Sequence, residues 1–144
     1  MEESFGDLKK SQKTCQRTVP CQFFAPQKIE KALEILARYG KEIKVIAGGT
    51  DLLIQYYDRL YEVGSWLDLK NIKELKEVKI NKNQMIIGAM VTHTQLEKSE
   101  DIKKYFPILS QAAADIGSPQ IKNRGTIGGN IVNASPAGDL LAPL

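Results

Sequence analysis

The sequence predicts an α+β protein: a small βαβ-type lobe over residues 21 to about 70, then the start of a mixed sheet-and-helix lobe over 71–144. Three observations predict it. Strand, helix, strand, glycine turn and helix patterns follow one another between Cys21 and Ile54. A short hairpin pattern comes next, and capped helical runs lie beyond residue 93. At 144 residues, 42% hydrophobic and 26% charged, the chain holds about one domain's worth of core.

Residues 1–20 are polar and aperiodic, the composition of a poorly ordered tail. Phe23 and Phe24 suggest a short strand. Pro26 can then open a helix whose Ile29, Ala32, Leu33 and Leu36 repeat at i, i+3, i+4 and i+7, with Gly40 to end it. Ile43 to Ala47 is a nearly continuous apolar run broken by Lys44, as expected of a strand covered on both faces. Gly48, Gly49, Thr50 and Asp51 end it before a helix through Leu52, Leu53 and Ile54.

Trp66 to Leu69 reads as a third strand of the same sheet. Lys76 to Ile80 and Met85 to Ile87 read as a hairpin. Thr94 and Glu97 have the spacing of a capping box, which starts a helix near His93. A further helix is expected from Pro107 to about Ile116, with Ile108, Leu109, Ala112 and Ala113 inward and Gly117 closing it. The stretch from Ser118 to Leu144 is glycine-rich and polar and is not expected in the core. Leu140, Leu141 and Leu144 make an apolar end with no later element to bury against.

Composition excludes several function classes. The net charge of +3 is spread out, with no lysine or arginine run longer than a pair, unlike a nucleic-acid surface. Cys15 and Cys21 form no CxxC and lie far from the single His93, so no metal site is expected. No stretch approaches the ~20 apolar residues of a membrane span, and the acidic start lacks a leader's apolar core, so a cytoplasmic protein is expected.

Seven of the 11 glycines lie in two places, Gly48–Gly49 and between Gly117 and Gly138, so the backbone there has a special task. Main-chain N–H groups at a turn before a helix suit a phosphate. Taken alone, Gly48 to Asp51 is explained equally well by a strand-to-helix turn with Thr50 as N-cap. Thr126 to Asn130 adds a hydroxyl, two unobstructed amides at Gly128 and Gly129, and an amide side chain. Ser135 to Asp139 adds a carboxylate suited to ribose hydroxyls, while Ser135 and Pro136 can equally start a helix.

The segment IGSPQIKNRGTIGGNIVNASPAGDL, from Ile116 to Leu140, resembles the second FAD loop of the flavoprotein subunits of molybdenum hydroxylases, the xanthine dehydrogenase and carbon monoxide dehydrogenase type. VIAGGTDLLI, from Val45 to Ile54, resembles their first FAD loop, and IIGAMVTHTQLE between them matches in type and order. The resemblance covers about Phe23 to Leu144 and implies the two-lobed PCMH-type FAD-binding fold. It implies that Ala47, Gly48, Gly49, Thr50, Asp51 and Leu52 wrap the FAD pyrophosphate from one side. Thr126, Gly128, Gly129, Asn130 and Asn133 would approach from the other, and Gly138 and Asp139 the ribose end.

Redox chemistry would then belong to the flavin, which accounts for a sequence without an acid, base or nucleophile constellation. His93 is expected to start a helix rather than to catalyse. The implied partners are a molybdopterin-binding large subunit and a 2Fe-2S small subunit, with NAD or another acceptor taking the electrons. Such subunits continue well past this point, so a truncated N-terminal part with an incomplete pocket is expected. Two other readings stay open: a non-catalytic fragment acting as an interaction module, and a nucleotide-binding module without redox chemistry.

Overall fold

The structure, a computed structural model, describes residues 21–58, 64–134, 140, 142 and 143. The expected tail at 1–20, the turn at 135–139 with Gly138 and Asp139, and Leu141 and Leu144 lie outside the described residues. The described chain mixes helix and strand, in keeping with an α+β protein.

Strands β1 (Phe23–Phe24), β2 (Ile43–Ile46) and β3 (Ser65–Asp68) form a parallel sheet in the order β1-β3-β2. The register pairs Phe23 with Trp66 and Val45 with Leu67. Helix α1 (Ile29–Tyr39) crosses between β1 and β2. Gly40 closes it at φ 51°, donating its N–H to the Leu36 carbonyl, a conformation that a side chain would strain. Ala32, Ile43, Leu67 and Ile72 form the core here, packed by Phe24, Ile29, Ile35, Leu36 and Tyr39.

Three expectations for this region need correction. The helix begins at Ile29, not at Pro26. Leu33 is 58% exposed, because the buried stripe centres on Ala32 and Tyr39 and Leu33 lies roughly a quarter turn away. The second strand is not covered on both faces: Lys44 and Val45 are exposed, and Val45 lines a cleft.

Helix α2 (Leu52–Tyr57) follows the first glycine turn. Strands β4 (Val78–Ile80) and β5 (Met85–Ile87) form the expected hairpin, with Lys79 opposite Ile86. Helices α3 (His93–Lys98), α4 (Glu100–Tyr105) and α5 (Pro107–Asp115) come next, then α6 (Pro119–Lys122) and α7 (Ile127–Asn133). A second core unites Val91, Leu96, Ile102, Leu109, Ala113, Ile116, Ile127 and Leu140, with Met85 and Ile87 of the hairpin against it. No described helix is long and apolar enough to cross a membrane.

The capping box of α3 is Thr92 with Gln95, not Thr94 with Glu97. Both pairs have the required spacing, but Thr92 is bridged to Thr126, which sets its backbone extended at the N-cap position. Thr94 instead donates its hydroxyl to Asn123 Oδ1 at 2.7 Å. In α5, Leu109 and Ala113 are inward, while Ile108 is exposed and Ser110 is buried, its hydroxyl donating to the Glu97 carbonyl. The last stretch does enter the core: Ile127 is buried, and Leu140, expected to be exposed, is wholly so.

Lys122 Nζ donates to Glu97 Oε2 at 2.8 Å and to the Ala114 carbonyl at 3.1 Å, tying α6 to α3 and α5. This hydrogen bond holds the Glu97 carboxyl below its ordinary value; burial opposes it, and the nearby charge of Lys122 adds to it. A carboxyl lowered in the folded state stabilises above its unfolded value, and the contribution is lost as pH falls through the folded one. Glu97→Gln is therefore expected to melt slightly lower than the parent at neutral pH. Thermal melts should show that gap closing as pH drops through and below the ordinary carboxylate range.

Candidate functional site

The two glycine turns, far apart in sequence, meet across one cleft of about 560 Å³, within the range of small-molecule sites. Strand β2 delivers the first turn. The backbone bridge between Thr92 and Thr126, flanked by His93 N–H to the Gly125 carbonyl at 3.1 Å and Ile127 N–H to the Val91 carbonyl at 3.0 Å, delivers the second. Ala47, Gly48, Gly49, Thr50, Asp51 and Leu52 line one wall. Thr126, Gly128, Gly129, Asn130 and Asn133 line the other.

Gly48 is where the walls touch: a Cβ there would collide with the Arg124 carbonyl oxygen and stand 2.9 Å from Gly125 Cα. Gly49 has φ 79°, which turns the chain from β2 toward α2. The segment is a strand-to-helix turn, as the plain reading has it, but Thr50 does not cap α2. The N-cap position is Asp51, no side chain caps the helix, and the Thr50 hydroxyl donates to Asp51 Oδ2 at 3.1 Å.

The two walls offer opposite chemistry. On the first, the backbone N–H groups of Gly48, Gly49, Thr50 and Asp51 find no acceptor among the described residues. On the second, the amides expected to be unobstructed are occupied: Gly128 N–H donates to the Ala89 carbonyl at 2.9 Å and Gly129 N–H to Thr126 Oγ1 at 3.1 Å. The reason is tertiary, since Thr126 caps α7 and the chain at Ala89 to Val91 runs alongside. The side chain of Asn130 also stands on this wall, and its Oδ1 is buried without a hydrogen-bond partner among the described residues. An acceptor left so costs about 1–3 kcal/mol until a donor meets it.

Among the described residues no lysine or arginine lines the cleft, so an anion held by them would be held by backbone dipoles. Sequence reasoning missed several lining residues: Leu69, Ala89, Met90, His93, Ile116 and Val132. His93 starts α3, as expected, and is also buried at the cleft, where it packs against Gly125 so closely that a Cβ on the glycine would stand 2.7 Å from the ring. None of these residues carries a local signal of its role.

Residues 17–144 match the family described as FAD binding domain in molybdopterin dehydrogenase. The chain is 43% identical over 120 residues to the nicotinate dehydrogenase FAD-subunit of Eubacterium barkeri, covering 82% of this chain and 40% of that protein. It is 33% identical over 118 residues to the carbon monoxide dehydrogenase medium chain of Hydrogenophaga pseudoflava, covering 82% of this chain and 41% of the other. The solved structure of reconstituted CO dehydrogenase from Oligotropha carboxidovorans aligns with TM-score 0.80 at 31% identity, over 85% of this chain and 43% of that one. The chain thus spans about two fifths of the length of these relatives.

Proposed function

The chain belongs to the family of FAD-binding domains in molybdopterin dehydrogenases, flavoprotein oxidoreductases with FAD as cofactor, and on that premise we propose that it holds FAD in an electron-transfer subunit. Ala47, Gly48, Gly49, Thr50, Asp51 and Leu52 hold the pyrophosphate. Thr126, Gly128, Gly129, Asn130 and Asn133 form the opposite wall, and Gly138 and Asp139 serve the ribose end. The FAD lies between two lobes divided near residue 70. When bound, the flavin supplies hydride or one-electron chemistry, and the chain binds it, orients it and limits its contact with water.

The observation that carries this reading is the row of four donors from Gly48 to Asp51 in a cleft with a buried unpaired acceptor on the facing wall. Four amide-to-phosphate bonds at about 1.5–3 kcal/mol each give roughly 6–12 kcal/mol before ordering costs, enough for micromolar or tighter binding. In the assembled enzyme, electrons from a molybdopterin-binding large subunit pass through a 2Fe-2S small subunit to this flavin. They leave to NAD or another acceptor, in the cytoplasm. The family match favours this over a flavin-free interaction module.

Titration of the purified chain with FAD, followed by flavin fluorescence and by the thermal midpoint, tests the proposal. The expected result is saturable micromolar binding with a raised midpoint. ADP should compete more weakly than FAD. No binding, or ADP binding as tightly as FAD with no flavin contribution, would overturn it in favour of an interaction or nucleotide module.

A further inference from the structure

Resting on the flavin reading, we propose that Lys122 is a positioning residue for the cleft: its ammonium pins α6 from outside and so holds the Arg124 carbonyl against Gly48. Lys122 does not itself line the cleft. From Gly117 to Arg124, a stretch that includes all of α6, every residue but Lys122 is exposed. Apolar burial therefore does little to fix this helix. Its place rests on polar ties, and Lys122 supplies two of them, to Glu97 Oε2 at 2.8 Å and to the Ala114 carbonyl at 3.1 Å. A third runs from the Thr94 hydroxyl to Asn123 Oδ1 at 2.7 Å.

The ties reach the cleft through the turn that leaves α6. Arg124 N–H donates to the Ile121 carbonyl at 3.1 Å and Gly125 N–H to the same carbonyl at 2.7 Å, so both residues move with the helix. They are also the residues whose backbone meets Gly48 of the first wall. Beyond Gly125 the chain is fixed to the start of α3 by backbone bonds. Before it, back to the buried Ile116, the side chains of Lys122 and Asn123 make the ties to α3 and α5. The Lys122 side chain is 15% exposed and that of Glu97 30%, so their attraction is screened less than that of a fully solvated pair. A lysine that touches no ligand thus sets where the two walls meet.

The test measures FAD affinity of the whole chain by flavin fluorescence, and the Gly48 amide signal of the flavin-free protein under glycine-selective nitrogen-15 labelling. Lys122→Met keeps the apolar stem and loses the ammonium. It is expected to bind FAD at least about tenfold more weakly and to shift the Gly48 signal. Lys122→Arg, whose several donors can serve both acceptors, is expected to bring affinity back to within about threefold of the parent and the Gly48 signal back to its place. Gly40→Ala is the control for lost stability alone and should move neither.

A smaller loss in Lys122→Met, an unmoved Gly48 signal in that variant, or a Lys122→Arg that recovers none of the loss overturns the inference. So does a Gly40→Ala that loses FAD in step with its stability. Should Lys122→Met fail to fold, Glu97→Ala decides, because it frees the ammonium from its carboxylate and leaves Lys122 in place. A shifted Gly48 signal with weakened FAD is then expected, and an unmoved signal overturns the inference. The flavin reading survives all of these outcomes. If the parent itself binds no FAD, that reading falls, while the Gly48 signal still decides whether Lys122 sets the contact between the walls.

Discussion

Replacing Gly48 by alanine is expected to lower FAD affinity by at least about 100-fold in a protein that still folds. The methyl group would enter the space of the Arg124 carbonyl, where backbone meets backbone and no flexible side chain can give way. The loops must separate, and the donors from Gly48 to Asp51 swing away from the facing wall. Misplacing two of four such bonds costs about 3–6 kcal/mol, and each 1.4 kcal/mol is tenfold. The local overpacking costs stability as well, about 1–3 kcal/mol.

Gly40→Ala separates the two effects. Gly40 has a left-handed backbone, at φ 51°, but nothing lies within 4 Å of its added Cβ, and it precedes β2, at the end opposite the glycine turn. It should lose stability through strain, about 1–2 kcal/mol, and keep its FAD affinity. Flavin titrations and melts of both variants decide the matter. If Gly48→Ala binds within threefold of the parent, the contact with Arg124 does not set the donor wall.

The second large effect separates adjacent glycines that look equivalent in the sequence. Aspartate at either Gly128 or Gly129 would be expected, from the sequence, to intrude on the phosphate. In the structure a Cβ at Gly128 would stand 2.7 Å from the Ala89 carbonyl oxygen and 2.8 Å from Ala89 Cβ, in collision with packed chain. A Cβ at Gly129 lies 3.0 Å from Thr126 Oγ1 and 3.8 Å from Ala47 Cβ, between the walls.

Gly129→Asp is therefore expected to fold and to retain essentially no flavin, its carboxylate standing where the anion belongs. Gly128→Asp is expected to fail earlier, as lost soluble protein or a much lower melt, because it drives a charge into packed backbone. Soluble yield, circular-dichroism melts and flavin per mole of protein distinguish them. A folded Gly128→Asp with normal melting, or a Gly129→Asp with full flavin content, would contradict the geometry.

What could be read from the sequence follows from range. Helix α1, the hairpin and the third strand show in local periodicity and turn residues. The Gly48–Asp51 and Thr126–Asn130 segments show because their glycines cluster. Partners from elsewhere in the chain do not show. The Gly128 amide looked available because Ala89, its acceptor, is remote in sequence. Thr94 and Glu97 had a sound capping spacing, but the bridge to Thr126 decided for Thr92. Helix α4 was overlooked because its six residues bury only Ile102, too little for a periodic signal. Leu140 looked stranded at an apolar end, yet it fills the core around Val91 and Leu96.

The contact of Gly48 with Arg124 joins two halves of the chain that meet only when both are folded. An unfolded chain, or one with either half undone, presents no pair of walls and has nothing for the flavin to distinguish. Ligand and folding therefore share one equilibrium: FAD in hundredfold excess over its dissociation constant adds about 2.7 kcal/mol to the native state alone. That is a sizeable share of a typical domain's total of about 5–15 kcal/mol, so the chain stripped of flavin is expected to melt well below the flavin-saturated chain.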